Sequence, residues 1–307
     1  MTAPTGRLRI GTAPDSWGVW FADDPGQVPW PRFLDEARRA GYRWVELGPY
    51  GYLPADGERL REELASRELS AASGVVFTGF HKEGDQWRRA WDQAVTVARL
   101  ARAVGAGYLV VIPDLWRSDA TGEPVEPRTL DERGWERLCR GHDQFGKALL
   151  EELGMRQVFH PHVDSHVGTQ REVERFLEGT DPAYTNLCLD TGHFAFYGGD
   201  NLRLLREHPD RVPYLHVKQF DPSVRFDLLK DDTPFATAVM AGLMVEPPAG
   251  EPDLPPIIEA AAAIDPEMLV IVEQDMYGCD PDRPFPIAER TRRYLLEALG
   301  LPVGAGR

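Results

Sequence analysis

The chain has 307 residues of which 42% are hydrophobic, enough for a large buried core, and 49 Asp and Glu against 34 Lys and Arg give a formal net charge of -15. That balance excludes nucleic acid as a partner, because phosphate binding rests on Lys and Arg, and three widely spaced cysteines (Cys139, Cys188, Cys279) without a CxxC exclude a disulfide framework or a thiolate zinc site. There is no apolar run of roughly 18 residues and no charged-then-apolar leader in the first seven residues, so the expectation is a cytoplasmic protein that meets no membrane.

In chain order, apolar runs that read as strands alternate with amphipathic stretches that read as helices. Strand 8–12 precedes helix 31–40, which Gly41 stops; strand 43–47 precedes helix 58–67; strand 69–77 precedes helix 86–104, stopped by Gly105. Strand 107–112 leads through a Pro- and Asp-rich loop to helix 131–153, and strand 156–160 follows Gly154. Thr169 with Glu172 three residues on has the spacing of a capping box, opening a helix that ends at Leu177, before a strand that ends at Asp190. Helix 201–208, strand 211–217, a long Pro- and Gly-rich connection 221–254, helix 255–264, strand 268–273 and helix 288–299 complete the chain. This alternation is the pattern of an α/β (β/α)8 TIM barrel, read as a single domain over 1–307 with the 221–254 connection over the active site. A doubly wound open sheet is the alternative, but Gly11-Thr-Ala-Pro-Asp-Ser-Trp-Gly18 after the first strand carries no dinucleotide fingerprint.

His160-Pro-His162, Asp190-Thr-Gly-His193, His216-Val-Lys218 and Glu273-Gln-Asp275 each close an apolar run. In a parallel barrel they converge at the carboxyl ends of the strands, where such folds hold their chemistry. An aspartate that ends Asn-Leu-Cys-Leu is costly unless paired or coordinated, so Asp190 reads as a metal ligand, a strand-end residue rather than a helix cap. The same argument applies to His216 and Glu273. Imidazole and carboxylate without thiolate suit Mn, Co, Fe or Zn, and Mn or Co is the expectation. Strand alternation puts His160 and His162 on one side, and one of them suffices as a further ligand. A divalent metal can polarise a carbonyl and acidify the adjacent carbon, which calls for a base and an acid. Lys218, Glu46 and His193 are the candidates. Two segments rich in aromatics and Gly, Asp15-Ser-Trp-Gly-Val-Trp-Phe21 and Glu46-Leu-Gly-Pro-Tyr-Gly-Tyr-Leu53, read as pocket walls that bring Trp17, Trp20 and Tyr50 to a sugar or cyclitol. Neither has the form of a phosphate cradle, so the expected substrate is uncharged.

In order and over nearly the whole chain, these segments resemble the xylose isomerase-like (endonuclease IV-like) TIM barrels, and within them the branch that acts on 2-keto-myo-inositol. The two wall segments are the most specific, because the superfamily at large lacks them. The resemblance implies a Mn- or Co-dependent dehydration of that keto-cyclitol to a dione, a step of inositol catabolism, with ligands at Asp190, His216 and Glu273. Sugar isomerases of the superfamily end strand five in glutamate, where this chain has His160-Pro-His162; His162 is taken as the fourth ligand and His160 is assigned to the substrate. That departure removes one member of the two-glutamate proton shuttle of ketose epimerases, so a sugar isomerase or epimerase is the second reading. The expected partner is a small polyol or keto-cyclitol, and the sequence leaves a homo-oligomer open.

Overall fold

The computed structural model describes residues 8–301; the leader reading of the first seven residues, and both ends of the 1–307 span, lie outside the described residues. Its first half runs β1 (Arg9–Thr12), α1 (Trp30–Arg39), β2 (Trp44–Val45), α2 (Gly57–Ser66), β3 (Ser70–Ala71), β4 (Ser73–Thr78), α3 (Gln86–Ala103), β5 (Tyr108–Pro113) and α4 (Glu132–Leu153). Then follow β6 (Arg156–Phe159), α5 (Gln170–Glu178), β7 (Asn186–Asp190), α6 (Thr191–Phe196), α7 (Asn201–Glu207) and β8 (Tyr214–Val217). The last part is β9 (Gln219–Phe220), α8 (Pro222–Lys230), α9 (Phe235–Met240), β10 (Met244–Val245), α10 (Leu254–Ile264), β11 (Leu269–Val272) and α11 (Pro284–Ala298).

The main sheet is parallel throughout, in the order β3-β2-β1-β11-β8-β7-β6-β5-β4. Its two ends, β3 and β4, are one run of chain bent at Ala72. The Ala72 N–H donates to the Val45 carbonyl, and the Leu47 N–H donates to the Ser73 carbonyl. The sheet therefore closes on itself as the expected TIM barrel.

Two apolar layers hold it. The outer one, between strands and helices, includes Leu34, Val45, Phe145, Phe159 and Leu215. The inner one fills the barrel with Ala13, Ala72, Val110, Val158, Cys188, Tyr214 and Ile271. Because strand side chains alternate, the next inward positions beyond Val158, Cys188, Tyr214 and Ile271 are His160, Asp190, His216 and Glu273. The same alternation that packs the barrel sets the polar residues above it.

The capping box at α5 is formed, with Glu172 N–H to Thr169 Oγ1 at 3.3 Å and Thr169 N–H to Glu172 Oε2 at 2.9 Å. Three elements differ from expectation. Strand 211–217 begins only at Tyr214, because Pro209–Arg211 turns as a 3-10 helix. The 221–254 connection holds two short helices and β10, which pairs antiparallel with β9 just before it. Thr191–Phe196 is helical, and Asp190 is its N-cap as well as a strand end, since Asp190 Oδ1 accepts the His193 N–H at 2.7 Å. The reading of Asp190 as no helix cap is thereby corrected.

His142 on α4 is wholly buried against Phe80, Phe159 and Phe176. Burial pushes its pKa down from 6.5 to about 3, so the unfolded chain binds this proton first as pH falls. Its contribution is intact above the unfolded pKa and is lost as pH drops from about 6.5 toward 3. His142→Phe is expected to flatten the fall in unfolding free energy between about pH 6 and 4; an unchanged slope in denaturant titrations would discount the residue.

Candidate active site

His160, Asp190, His216 and Glu273 each place one donor atom within 4.8 Å of the others. His216 Nδ1 is 2.7 Å from Glu273 Oε2 and 3.8 Å from Asp190 Oδ2. His160 Nε2 is 3.5 Å from Asp190 Oδ2 and 3.6 Å from Glu273 Oε2. Register explains the convergence, because Asp190 lies opposite His216 on adjacent strands and the Glu273 N–H donates to the Val217 carbonyl.

His160 thus stands where the sequence reading put His162. The strand ends at Phe159 and the chain turns after Pro161, so alternation carries His160 inward but does not extend to His162. Of the two, it is His160 and not the expected His162 that stands among the candidate metal ligands, and both line the cavity. His162 instead packs on His193, with ring centroids 3.9 Å apart, beside the cluster.

Behind the four, His216 Nε2 is 3.0 Å from Glu46 Oε1, which also accepts the Tyr214 hydroxyl at 2.6 Å. Glu46 lines the cavity, and its carboxylate is held by His216 and Tyr214. Outer carboxylates on ligand histidines typically change metal affinity by about 10- to 100-fold. Glu46→Gln is expected to weaken divalent-metal binding by about that factor in a direct titration; unaltered affinity would remove it from the site.

Lys218 is fully buried, with Nζ 2.8 Å from Asp275 Oδ2 and 3.2 Å from both Asp190 Oδ2 and Glu273 Oε2. Its stem crosses Gly192, where an added Cβ would come within 2.3 Å of Lys218 Cγ, so only glycine fits. Burial works against its charge, but Asp190, Asp275 and Glu273 outweigh that and hold its pKa well above the usual lysine value. So held, the ammonium stands as the counter-charge of these carboxylates. Burial likewise raises Asp190 and Glu273, yet Lys218 with His160 holds Asp190 low, and His216 with Lys218 holds Glu273 well below the usual range. Asp15 is raised by burial and by the negative Asp275 and Glu273.

Above the cluster opens a cavity of about 360 Å³, lined on its polar side by Glu46, His160, His162, His193, Glu273 and Asp275. Trp20 and Phe235 wall it, with Trp20 Nε1 donating to Asp15 Oδ2 at 2.6 Å. Trp17 and Tyr50 do not. The Trp17 indole is buried against Phe33 and donates to Glu36, while Tyr50 is 45% exposed beyond the rim. Sequence reasoning missed Asp15 and Asp275 as members of the site. Asp275 is two residues past Glu273, so the alternation used for Lys218 would have found it; Asp15 was read only as part of an aromatic wall.

Asp190, Glu273 and Asp275 surround one ammonium, and Glu46 backs His216. Carboxylates converging with imidazoles in this way are a donor set for a cation. The donor set fits one: His160 Nε2 is buried with no hydrogen-bond partner, and Asp190 Oδ2 and His216 Nδ1, though close to Lys218 Nζ and Glu273 Oε2, make no aligned hydrogen bond, a state that a shared ion relieves. Two imidazoles and two carboxylates without sulfur match a borderline divalent metal.

The family model for the xylose isomerase-like TIM barrel matches residues 34–297. The chain belongs to that family. Among relatives of this xylose isomerase-like barrel, the inosose dehydratase of Geobacillus thermodenitrificans is 28% identical, the match covering 96% of this chain and 98% of that protein. The inosose dehydratase of Geobacillus kaustophilus is 30% identical, with 94% of each chain covered. A crystal structure of IOLI protein with a bound zinc atom superposes with a TM-score of 0.70 at 14% identity, covering 95% of this chain and 98% of that one. The last likeness bears on the fold of this family member alone.

Proposed function

We propose that the chain is an inosose dehydratase-like hydro-lyase, a divalent-metal enzyme that removes water from 2-keto-myo-inositol or a closely related keto-cyclitol. Relatives bearing that activity in their names along almost their whole length support the reading. The observation that carries it is the cluster of His160, Asp190, His216 and Glu273 beside two histidines whose tautomers are set by the backbone N–H and C=O of one residue, Val163. The Val163 carbonyl can only accept, so His162 Nδ1 carries the proton it faces; the Val163 N–H donates to His193 Nδ1 at 3.3 Å. His162 Nε2 is left with a lone pair and His193 Nε2 with a proton. Burial keeps both rings neutral: His162 is pushed down to about 3, and His193 well below its ordinary value.

When bound at His160, Asp190, His216 and Glu273, the metal, Mn or Co in this reading, supplies positive charge that polarises the ketone and acidifies the neighbouring carbon. His162 Nε2 takes the proton from the carbon α to the ketone, the β C–O bond breaks as the double bond forms, and the imidazolium returns the proton to the departing hydroxyl as water. His193 donates its Nε2–H to a substrate oxygen and orients it. Lys218 holds the carboxylates in place. Phe235, from the 221–254 connection, lines the cavity, so we read that segment as its cover within one barrel domain. Among the described residues no helix is long and apolar enough to cross a membrane.

Metal-loaded protein incubated with 2-keto-myo-inositol is expected to show a rise in ultraviolet absorbance from the enolised dione, lost on chelation. His162→Gln should lower kcat by about 10²- to 10⁴-fold with metal retained. Metal-loaded protein that leaves this ketone intact but interconverts ketose epimers would replace the proposal with the epimerase reading.

A further inference from the structure

A second cluster shares no residue with the first. His81 follows β4, Glu126 lies in the connection after β5, and His166 in the connection after β6; one donor atom of each lies within 4.8 Å of the others. The two imidazoles are 3% and 4% exposed, with ring centroids 4.5 Å apart. His81 Nε2 stands 2.9 Å from Glu126 Oε2. The backbone at His81 is held as well, since Arg137 Nε donates to its carbonyl at 2.8 Å.

The decisive atoms are the ones without partners. His166 Nε2 is 2.9 Å from the Pro127 carbonyl, which only accepts, so Nε2 carries the proton and Nδ1 is an unshared lone pair. That Nδ1 is buried with no hydrogen-bond partner, and so is Glu126 Oε1. Lys82 Nζ lies 3.5 Å from Glu126 Oε1, but its hydrogen bond goes to Asp114 Oδ2 at 2.6 Å. If the three side chains only bonded to one another, two buried acceptors would stay unsatisfied, each at a cost. An ion accepted by both removes that cost.

We propose that His81, Glu126 and His166 form a second divalent-metal site, zinc by its two nitrogens and one carboxylate. The site ties together three loops on one side of the barrel mouth. Lys82, next to His81, and Arg117 and Asp119, in the same connection as Glu126, line the cavity. A metal here fixes the wall on which substrate rests and takes no part in the chemistry at the strand ends.

The test uses the full chain carrying Asp190→Asn, which disables the strand-end cluster. After chelation, zinc is added and excess removed by gel filtration; metal content and thermal unfolding are then read. About one equivalent of zinc is expected to stay bound and to raise Tm, because a ligand of the folded state stabilises it. Adding Glu126→Gln should abolish both effects. Glu126 is at the partly exposed rim, so its exchange keeps the fold, which the Tm without zinc checks, and His81→Gln is the independent second variant. An Asp190→Asn chain that retains no zinc overturns the site. So does a zinc content or Tm rise that Glu126→Gln and His81→Gln leave unchanged. The readout is metal and not turnover, so the result stands apart from the reaction proposed above.

Discussion

Asp190→Asn protein will fold, lose its divalent metal and fall in turnover by on the order of 10³-fold, since a catalytic metal supplies several kcal/mol of charge stabilisation. The two carboxylate oxygens of Asp190 have different tasks. Oδ1 caps α6 through the His193 N–H, and Asn is as good an N-cap as Asp, so the helix that carries His193 is kept. Oδ2 faces Lys218 Nζ at 3.2 Å, His160 Nε2 at 3.5 Å and His216 Nδ1 at 3.8 Å. An amide group there brings N–H toward an ammonium and removes the charge that holds the cation. Glu273→Gln acts in the same direction on the opposite side of the cluster. The checks are metal content, kcat and Tm on one preparation. If either variant regained full activity after stripping and readdition of metal, its residue would not be a ligand.

The barrel was legible because burial and alternation act locally. Each strand is a short apolar run ended by Gly, Pro or charge, and each inward polar residue sits two positions beyond an inward apolar one. The cost of a buried polar group at the end of an apolar run singled out Asp190, His216 and Glu273. Alternation failed where the chain leaves extended geometry: it carries His160 inward after Val158 but stops before His162, which packs on His193 instead. Aromatic walls failed for a related reason. Trp17, Trp20 and Tyr50 share one composition, but only the turn of Pro14–Trp17 decides that Trp17 points at Phe33 and Trp20 into the cavity. The helices of the 221–254 connection were hidden because α8 has no buried residue and α9 is only six residues long. What seats α9 is tertiary: Phe235, Ala238 and Val239 pack with Val163, Phe196 and Phe220, and Asp164 Oδ2 accepts the Phe235 N–H at 2.9 Å.

Lys218→Met is expected to destabilise the metal-free chain by about 3–5 kcal/mol, the usual consequence of removing one partner of a buried ion pair. The stem is the same length, so the contact over Gly192 and the packing beneath it survive; what disappears is the only ammonium among Asp190, Glu273 and Asp275. At roughly 2–4 °C per kcal/mol for a large domain, Tm should fall by about 10 °C. The fall should be smaller when metal is present, since a bound cation neutralises two of the same carboxylates and stabilises only the folded state. This pattern separates the two roles that the lysine could have. As a general base, its loss would lower kcat and leave Tm and metal dependence untouched. As the counter-charge of the site, its loss must appear first in stability, most strongly after chelation, because the electrostatic work it does is required before any substrate arrives.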